Sequence, residues 1–358
     1  MELLWTIIQF IIVFSILLLI HEFGHFIMCR VARVPVEEFG IGLPPRIFTI
    51  FNWQGTAFTI NALPFGAFVR PKGEVDRNVE GGLANASPWK KLSVYFGGPL
   101  MNVLLGLGLL VILFFRLGAP DTSKVIILEV APGSPAAMSG LKTGDQIIAI
   151  NSTPVDKIET MQQLISDNLS IAVQITVQRD GNSINLEATP RLDPPENQGA
   201  LGVALGNPYN KITIFEAVPR ALSMAYEQMR DFVLLPARLI QGSISESDSR
   251  VVGIKGIFDM YSAAGVMDAE TTGRASQQAP VFRLYFIASI SIALGLTNLL
   301  PIPALDGGRI LLVLPELILR RRIPQKVENF LISFSFMALI LLMIFITFQD
   351  FINPIKLP

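Results

Sequence analysis

Leu3–Met28 reads LLWTIIQFIIVFSILLLIHEFGHFIM, and this stretch decides what kind of protein the chain can be. No charged residue occurs from Leu3 to Ile20. A helix of this length matches a hydrocarbon core of roughly 30 Å at about 1.5 Å per residue. The run closes on His21-Glu22-Phe23-Gly24-His25, the H-E-x-x-H spacing that sets two imidazoles on one helix face as zinc ligands, with a glutamate beside them as base. These are the only two histidines in 358 residues. Ionisable groups at the end of a membrane-length helix are costly and are retained where function requires them. A surface helix with two unrelated histidines is the weaker reading.

Composition agrees. The chain is 51% hydrophobic and 16% charged, with mean hydropathy +0.51, well off the soluble profile. A net charge of -1, with no basic stripe interleaved with aromatics, gives no footprint for nucleic acid. A single cysteine, Cys29, excludes an intramolecular disulfide and a Cys-rich zinc site, and reads as a packed, inert thiol. The start Met1-Glu2 lacks the basic n-region of a signal peptide, and no small-residue cleavage site follows. A retained transmembrane helix is expected over 3–28.

Four apolar segments are long enough to span, Leu3–Met28, Leu92–Phe115, Phe282–Leu300 and Phe330–Phe348. The loop after the first carries Arg30, Arg33, Arg46, Arg70, Lys72, Arg77, Lys90 and Lys91. The loop after the third carries Arg309, Arg320, Arg321, Arg322 and Lys326, whereas the termini offer Glu2 and Asp350 against Lys356. The positive-inside rule makes both basic loops cytoplasmic and puts the long segment of about 119–281 outside.

Between the first two spans, Arg46–Phe51 and Thr56–Ile60 are β-branched and aromatic and flank Asn52-Trp53-Gln54-Gly55, a hairpin turn. A third apolar piece, Ala62–Val69, carries Pro64 and Gly66, which suit an edge or a bend. Two readings stay open. The hairpin is a small cytoplasmic cap, or a sheet near the metal whose edge pairs with an extended peptide.

Residues 122–206 change character. Val125–Val130, Gln146–Ile150, Ala172–Val177 and Ile184–Thr189 read as short strands, with helices at Pro135–Met138 and Ile158–Asn168. Roughly 85 residues suffice for an α+β domain with its own core. The run Pro132–Asn151 resembles the PDZ domains of bacterial proteases, and that resemblance places a peptide-binding loop at Leu201-Gly202-Val203. Beyond it, Phe215–Ile240 has helical spacing interrupted by Pro219 and Pro236, which reads as a membrane-surface or bundle-flanking helix pair. Ser243–Arg250 and Gly265–Gln278 read as polar loops. No internal repeat is visible.

Two histidines do not complete a catalytic zinc site, which usually has three protein ligands and an open position. Asp306 in Asn298-Leu299-Leu300-Pro301-Ile302-Pro303-Ala304-Leu305-Asp306-Gly307-Gly308 is the best third donor, a carboxylate after an apolar helix broken by two prolines. The alternative is that Asp306 only caps the next helix, Arg309–Leu319.

HEFGH in the first span together with NLLPIPALDGG at the third resembles the site-2 protease family of intramembrane zinc metalloproteases. Gly98-Pro99-Leu100-Met101-Asn102 and Asn61–Val69 also resemble that family. With one PDZ domain between spans two and three, the chain is similar to the regulator-of-sigma-E protease branch, where many relatives carry tandem PDZ domains. Near Gly253 relatives tend to have Gly-Pro, and this chain has Gly253-Ile254. The resemblance implies Zn2+ held by His21, His25 and Asp306, Glu22 as catalytic base, and Asn298 and Asn102 near the substrate.

The expected fold is therefore a four-helix transmembrane α bundle with a membrane-associated β-hairpin and an inserted α+β PDZ domain. Its parts are helices 1–2 with the zinc motif and hairpin (1–118), the PDZ domain (119–206), an amphipathic helical segment (207–281) and helices 3–4 with the third ligand (282–358). The expected activity is hydrolysis of single-span membrane proteins in or near the bilayer of a bacterial inner membrane. The active site would lie toward the cytoplasm and the PDZ domain outside, where it would dock peptide C-termini or substrate segments, or act as a size filter. A catalytically silent PDZ scaffold with a structural metal would leave Glu22 without a role. A metal transporter would need an ionisable relay through several spans, which is not seen.

Overall fold

The computed structural model describes residues 2–195, 198–242, 252–273 and 281–353. The chain divides into two compact units, residues 1–116 with 214–358, and 117–213. In chain order the first unit opens with α1 (Glu2–Ala32), β1 (Val36–Trp53), β2 (Thr56–Pro71) and α2 (Pro88–Leu117). The second holds β3 (Ala119–Pro120), β4 (Val125–Val130), α3 (Pro135–Ser139), β5 (Gln146–Ile150), β6 (Thr153–Pro154), α4 (Ile158–Ser166), β7 (Val173–Arg179), β8 (Asn182–Ala188), β9 (Val203–Gly206) and β10 (Tyr209–Asn210). The first unit resumes with α5 (Ile214–Ile240), α6 (Ile254–Gly273), α7 (Phe282–Asn298), α8 (Asp306–Leu319) and α9 (Gln325–Ile352).

Among the described residues three helices, α1, α2 and α9, are long and apolar enough to cross a membrane, and the apolar α7 has only 17 residues. The sequence predicts the third span to run on to Leu300, but α7 stops at Asn298. Prolines at 301 and 303 push Leu300 and Ile302 out of the helical region. A short turn replaces the helix, held by Leu300 N–H on the Thr297 carbonyl (3.0 Å) and Leu305 N–H on that of Ile302 (2.8 Å).

Two further expectations need correction. Helix α5 continues through Pro219 and Pro236 instead of breaking into a pair. Its Ala221 and Ala225 bury against Leu110 and Leu113 of α2 and Ala288 and Ile292 of α7, and this packing outweighs the hydrogen bond each proline removes. Residues 265–273, expected as loop, continue α6. Tyr261 and Ala264 of that helix are buried, so packing again decides. The remainder of that predicted loop and the predicted loop at 243–250 lie outside the described residues.

The predicted hairpin is larger than its sequence signal. Its turn is Gln54-Gly55, both at positive φ (49° and 82°) as a two-residue type I′ turn demands. Both strands bend so that residues 38–41 acquire two partners, 57–60 taken in the same direction and 67–70 taken in reverse. The run 46–53 pairs on the far side of 56–61. Four runs thus lie side by side, with 67–71 at one edge. Inside them Glu38 is buried and accepts from Arg46 (2.8 Å), Arg70 (3.1 Å) and Thr59 Oγ1 (2.8 Å), tying together runs that are distant in sequence. The Arg46 guanidinium holds its carboxyl below the usual range, against burial.

Past the sheet, residues 72–85 are pinned to the last two helices. Arg77 meets Glu328 (2.6 Å) and the Ile323 carbonyl (2.9 Å), and Glu74 pairs with Arg309. Lys91 of α2 meets Glu316 of α8 at 2.8 Å. These pairs fix α8 against α2, and so fix the helix that begins at Asp306.

The second unit carries a six-stranded sheet whose main path runs β8-β7-β5-β4-β9, with β6 on β5. Val125, Ile127, Ile147, Ile150, Met161, Val173, Ile175 and Val177 form its core, all 1% exposed or less. The strands alternate buried and open positions, the period-2 pattern of a half-covered sheet. Ser134 Oγ caps α3 by accepting from Ala137 N–H (3.2 Å), and Gly140 ends it at φ 84°.

Candidate active site

Helix α1 carries His21 and His25 one turn apart on its buried face, and α2 crosses that face at backbone contact. A Cβ on Gly24 would lie 2.2 Å from the Gly97 carbonyl oxygen, and one on Gly98 would lie 2.5 Å from Nε2 of His25 and 2.7 Å from Nε2 of His21. Only glycine permits this approach, so the α2 backbone is the wall against which the imidazoles stand. His25 Nδ1 donates to the Val94 carbonyl (2.8 Å), which leaves Nε2 as the free donor atom. The side-chain amide of Asn102 stands 3.3 Å from Nδ1 of His21.

Asp306 reaches the same point from α8. Its Oδ2 lies 3.1 Å from His21 Nε2 and 3.4 Å from His25 Nε2, and the two Nε2 atoms are 3.1 Å apart. The capping alternative for Asp306 fails, since Leu305 holds the N-cap position and no side-chain cap bond is made. The two glycines after Asp306 have a steric cause. A Cβ on Gly307 would sit 2.1 Å from the Leu299 carbonyl oxygen, and one on Gly308 would sit 2.0 Å from that of Ile302. The turn of 299–303 packs directly on the first turn of α8 and sets the aspartate's height.

Three lone-pair donors thus converge on one point. A tetrahedral zinc with ligands about 2.0–2.1 Å away separates neighbouring donor atoms by about 3.3–3.4 Å. The observed 3.1, 3.1 and 3.4 Å fit that separation, and two imidazoles with one carboxylate form a catalytic donor set that leaves a fourth position open.

Glu22 stands beside the cluster, and its Oε2 accepts the backbone N–H of Val69 at 2.9 Å. The edge run 67–71 is thereby brought to the site. A cavity of about 290 Å³ opens here, lined by His21, Glu22, His25, Val69, Asn298 and Asp306 among others. Asn298, the last residue of α7, lies on its wall. Asn102 does not. It is fully buried against His21 and outside the cavity lining. In the second unit Leu201 and Gly202 are buried, with carbonyls accepting from Ala136 (3.1 Å) and Ala131 (2.8 Å), and Val203 opens β9 at the sheet edge.

Sequence reasoning missed the Val94 carbonyl, the Val69 amide, and Glu74, Tyr95 and Arg309 of the cavity wall. Backbone groups leave no side-chain signature. Arg309 was visible, one helical turn beyond Asp306 and following Gly308.

Two buried histidines and a partly buried carboxylate with an adjacent glutamate define a metalloprotease class of site, and comparison with known proteins agrees. Residues 9–342 match the model of Peptidase family M50, and the chain belongs to that family, the site-2 proteases. A protein of Clostridium acetobutylicum is 30% identical, with 97% of each chain covered. One of Campylobacter jejuni is 32% identical over 95% of this chain and 91% of its own. Both bear the name "Putative zinc metalloprotease". Metalloprotease MmpA of Caulobacter vibrioides is 26% identical over 90% of this chain and 88% of its own. The chain is a zinc metalloprotease with helices that can span a membrane.

Proposed function

We propose that this metalloprotease hydrolyses peptide bonds of single-span membrane proteins within or near the bilayer, with His21, His25 and Asp306 holding the zinc and Glu22 acting as general base. The observation that carries this is the convergence of the three donor atoms at 3.1–3.4 Å beside Glu22. Zinc, when bound, supplies a Lewis acid that brings water toward ionisation at neutral pH and offsets the negative charge that develops on the attacked carbonyl. Glu22, oriented by the Val69 N–H, takes the proton from the attacking water and passes it to the leaving amine. Asn298 binds the substrate backbone from the cavity wall.

A transmembrane helix hides its amides in its own hydrogen bonds, so the scissile segment must be extended before attack. The edge run 67–71 supports that form by strand addition, presenting backbone groups beside the base. The broken stretch around Pro301 faces the same cavity through Ala304 and Leu305. Both basic loops would lie in the cytoplasm of a bacterial inner membrane, with residues 117–213 outside.

Residues 117–213 would act as a PDZ domain. The reading is supported by the Pro132–Asn151 run and by β9 at a sheet edge, where a peptide segment adds as a further strand. The domain would admit substrates already trimmed outside the membrane. Deletion of 122–206 is then expected to speed cleavage of an untrimmed substrate, and an unchanged rate would remove the filter role.

The direct test is Glu22→Gln in reconstituted vesicles with a single-span substrate. Cleavage is expected to fall by about 10²–10⁴-fold with zinc still bound. Undiminished cleavage would exclude Glu22 as the base.

A further inference from the structure

The Asn102 carboxamide is inside the protein with one half of it unused. The residue is fully buried on α2, and among the described residues its Oδ1 has no hydrogen-bond partner. Its Nδ2 faces Nδ1 of His21 at 3.3 Å. Burying an amide oxygen without a partner forfeits its hydration with nothing in return, so such atoms need a reason.

The chemistry of the metal site supplies one. A neutral imidazole that gives Nε2 to a metal carries its proton on Nδ1, which then needs an acceptor. His25 has one, the Val94 carbonyl at 2.8 Å. At His21 the corresponding Nδ1–H would point at the Asn102 NH₂ group, donor against donor. A half-turn of the carboxamide brings Oδ1 onto Nδ1 in nearly the same place, because the two ends of an amide are close to isosteric. It replaces an orphaned acceptor and an opposed donor pair by one hydrogen bond, at the cost of leaving the amide NH₂ where the oxygen stood.

The surroundings let the carboxamide turn while holding the residue. Ser291 Oγ donates to the Asn102 backbone carbonyl at 2.8 Å, and a Cβ on Gly295 would be 3.4 Å from the Asn102 Cβ, so α7 clamps the backbone of this position. Among the described residues, the carboxamide's hydrogen-bond contact is with His21.

We propose that Asn102 is a positioning residue for the metal, its side-chain oxygen accepting the Nδ1–H of His21 and fixing that ring's tautomer and direction. This rests on the assignment of His21 as a ligand. It gives α2 the same duty toward both histidines, by a backbone carbonyl for one and a side chain for the other. It also takes Asn102 out of the set of substrate contacts.

The experiment is a zinc competition titration against a chromophoric chelator, on the full chain in detergent, with the metal-free thermal midpoint measured alongside. Asn102→Leu removes the acceptor and is expected to weaken zinc binding about 10–100-fold. Asn102→Asp restores an acceptor and is expected to bind within about threefold of the native chain, where a role in packing alone would leave both variants equally affected. The proposal falls if Asn102→Leu binds zinc like the native chain, or if Asn102→Asp loses as much affinity as Asn102→Leu. If the leucine variant does not fold, Asn102→Ala takes its place in the same comparison. A native chain that binds no zinc, or a His21→Ala chain that binds it undiminished, would instead defeat the metal-site assignment itself.

Discussion

Two carboxylates, one buried and one partly so, show how differently the two units use charge. Asp145, in the second unit, is 1% exposed and saturated. Arg179 gives it Nε at 2.6 Å and Nη2 at 2.7 Å, the Lys142 amide adds a third donor at 2.9 Å, and the charges cancel. Asp306, in the first unit, meets two imidazole nitrogens that are themselves 3.1 Å apart, so three acceptors crowd around one point. The first cluster is complete as it stands and serves stability. The second sets three ligand-type atoms on one point, the arrangement that the proposed zinc would complete.

The comparison can be broken by mutation. The largest effect is expected from Glu22→Gln, which should abolish most turnover in the vesicle assay while Asp145→Asn leaves the intrinsic rate of the folded enzyme within about twofold. If both variants lost turnover equally, the division of labour between the two clusters would be wrong.

Next in size are the glycines that let α1 and α2 touch. Gly24→Ala places a methyl 2.2 Å from a backbone carbonyl that cannot swing aside. Overpacking of this kind costs about 1–3 kcal/mol, and here it also shifts the histidines. A lowered thermal midpoint together with weakened zinc binding is expected, and a normal midpoint with normal zinc would contradict the described crossing.

Asp145→Asn should act on its own unit alone. Removing one member of a buried pair costs about 3 kcal/mol, less where the partner reaches water, as Arg179 partly does. Amide exchange should accelerate across 117–213, with zinc affinity unmoved. The same pair sets a pH limit. Burial alone would raise the Asp145 carboxyl, but Arg179 and the Lys142 amide outweigh it and hold it below the usual range. Its contribution is therefore full above the ordinary carboxylate pKa of about 3.9 and is lost as pH falls through the lower folded value. Exchange protection that began to fail above pH 5 in the native chain, but not in Asp145→Asn, would contradict this sign.

Smallest is Lys124→Ala, which removes an exposed partner of Asp121 at 3.1 Å. No measurable change in stability is expected.

Much of the site could be read from the chain. His21, Glu22 and His25 share one helix, so their spacing alone sets their geometry. Asp306 was readable because an aspartate after two prolines at membrane depth has few other uses. What escaped depends on packing or on backbone. Prolines 219 and 236 signalled breaks, but the buried alanine face of α5 carried the helix through. The sheet of 36–71 looked like one hairpin because nothing in 38–41 announces two partners. The Val69 amide and Val94 carbonyl carry no residue signature at all. Asn102 is expected near the substrate, since sequence locates it on α2 without saying that its side chain meets His21.

The most direct test of the central claim is the zinc content of the purified full-length chain and its variants by mass spectrometry. One zinc per chain is expected for the native protein and for Glu22→Gln, and close to none for His21→Ala, His25→Ala and Asp306→Ala. A full equivalent retained by Asp306→Ala would contradict the three-residue site shared between α1 and α8.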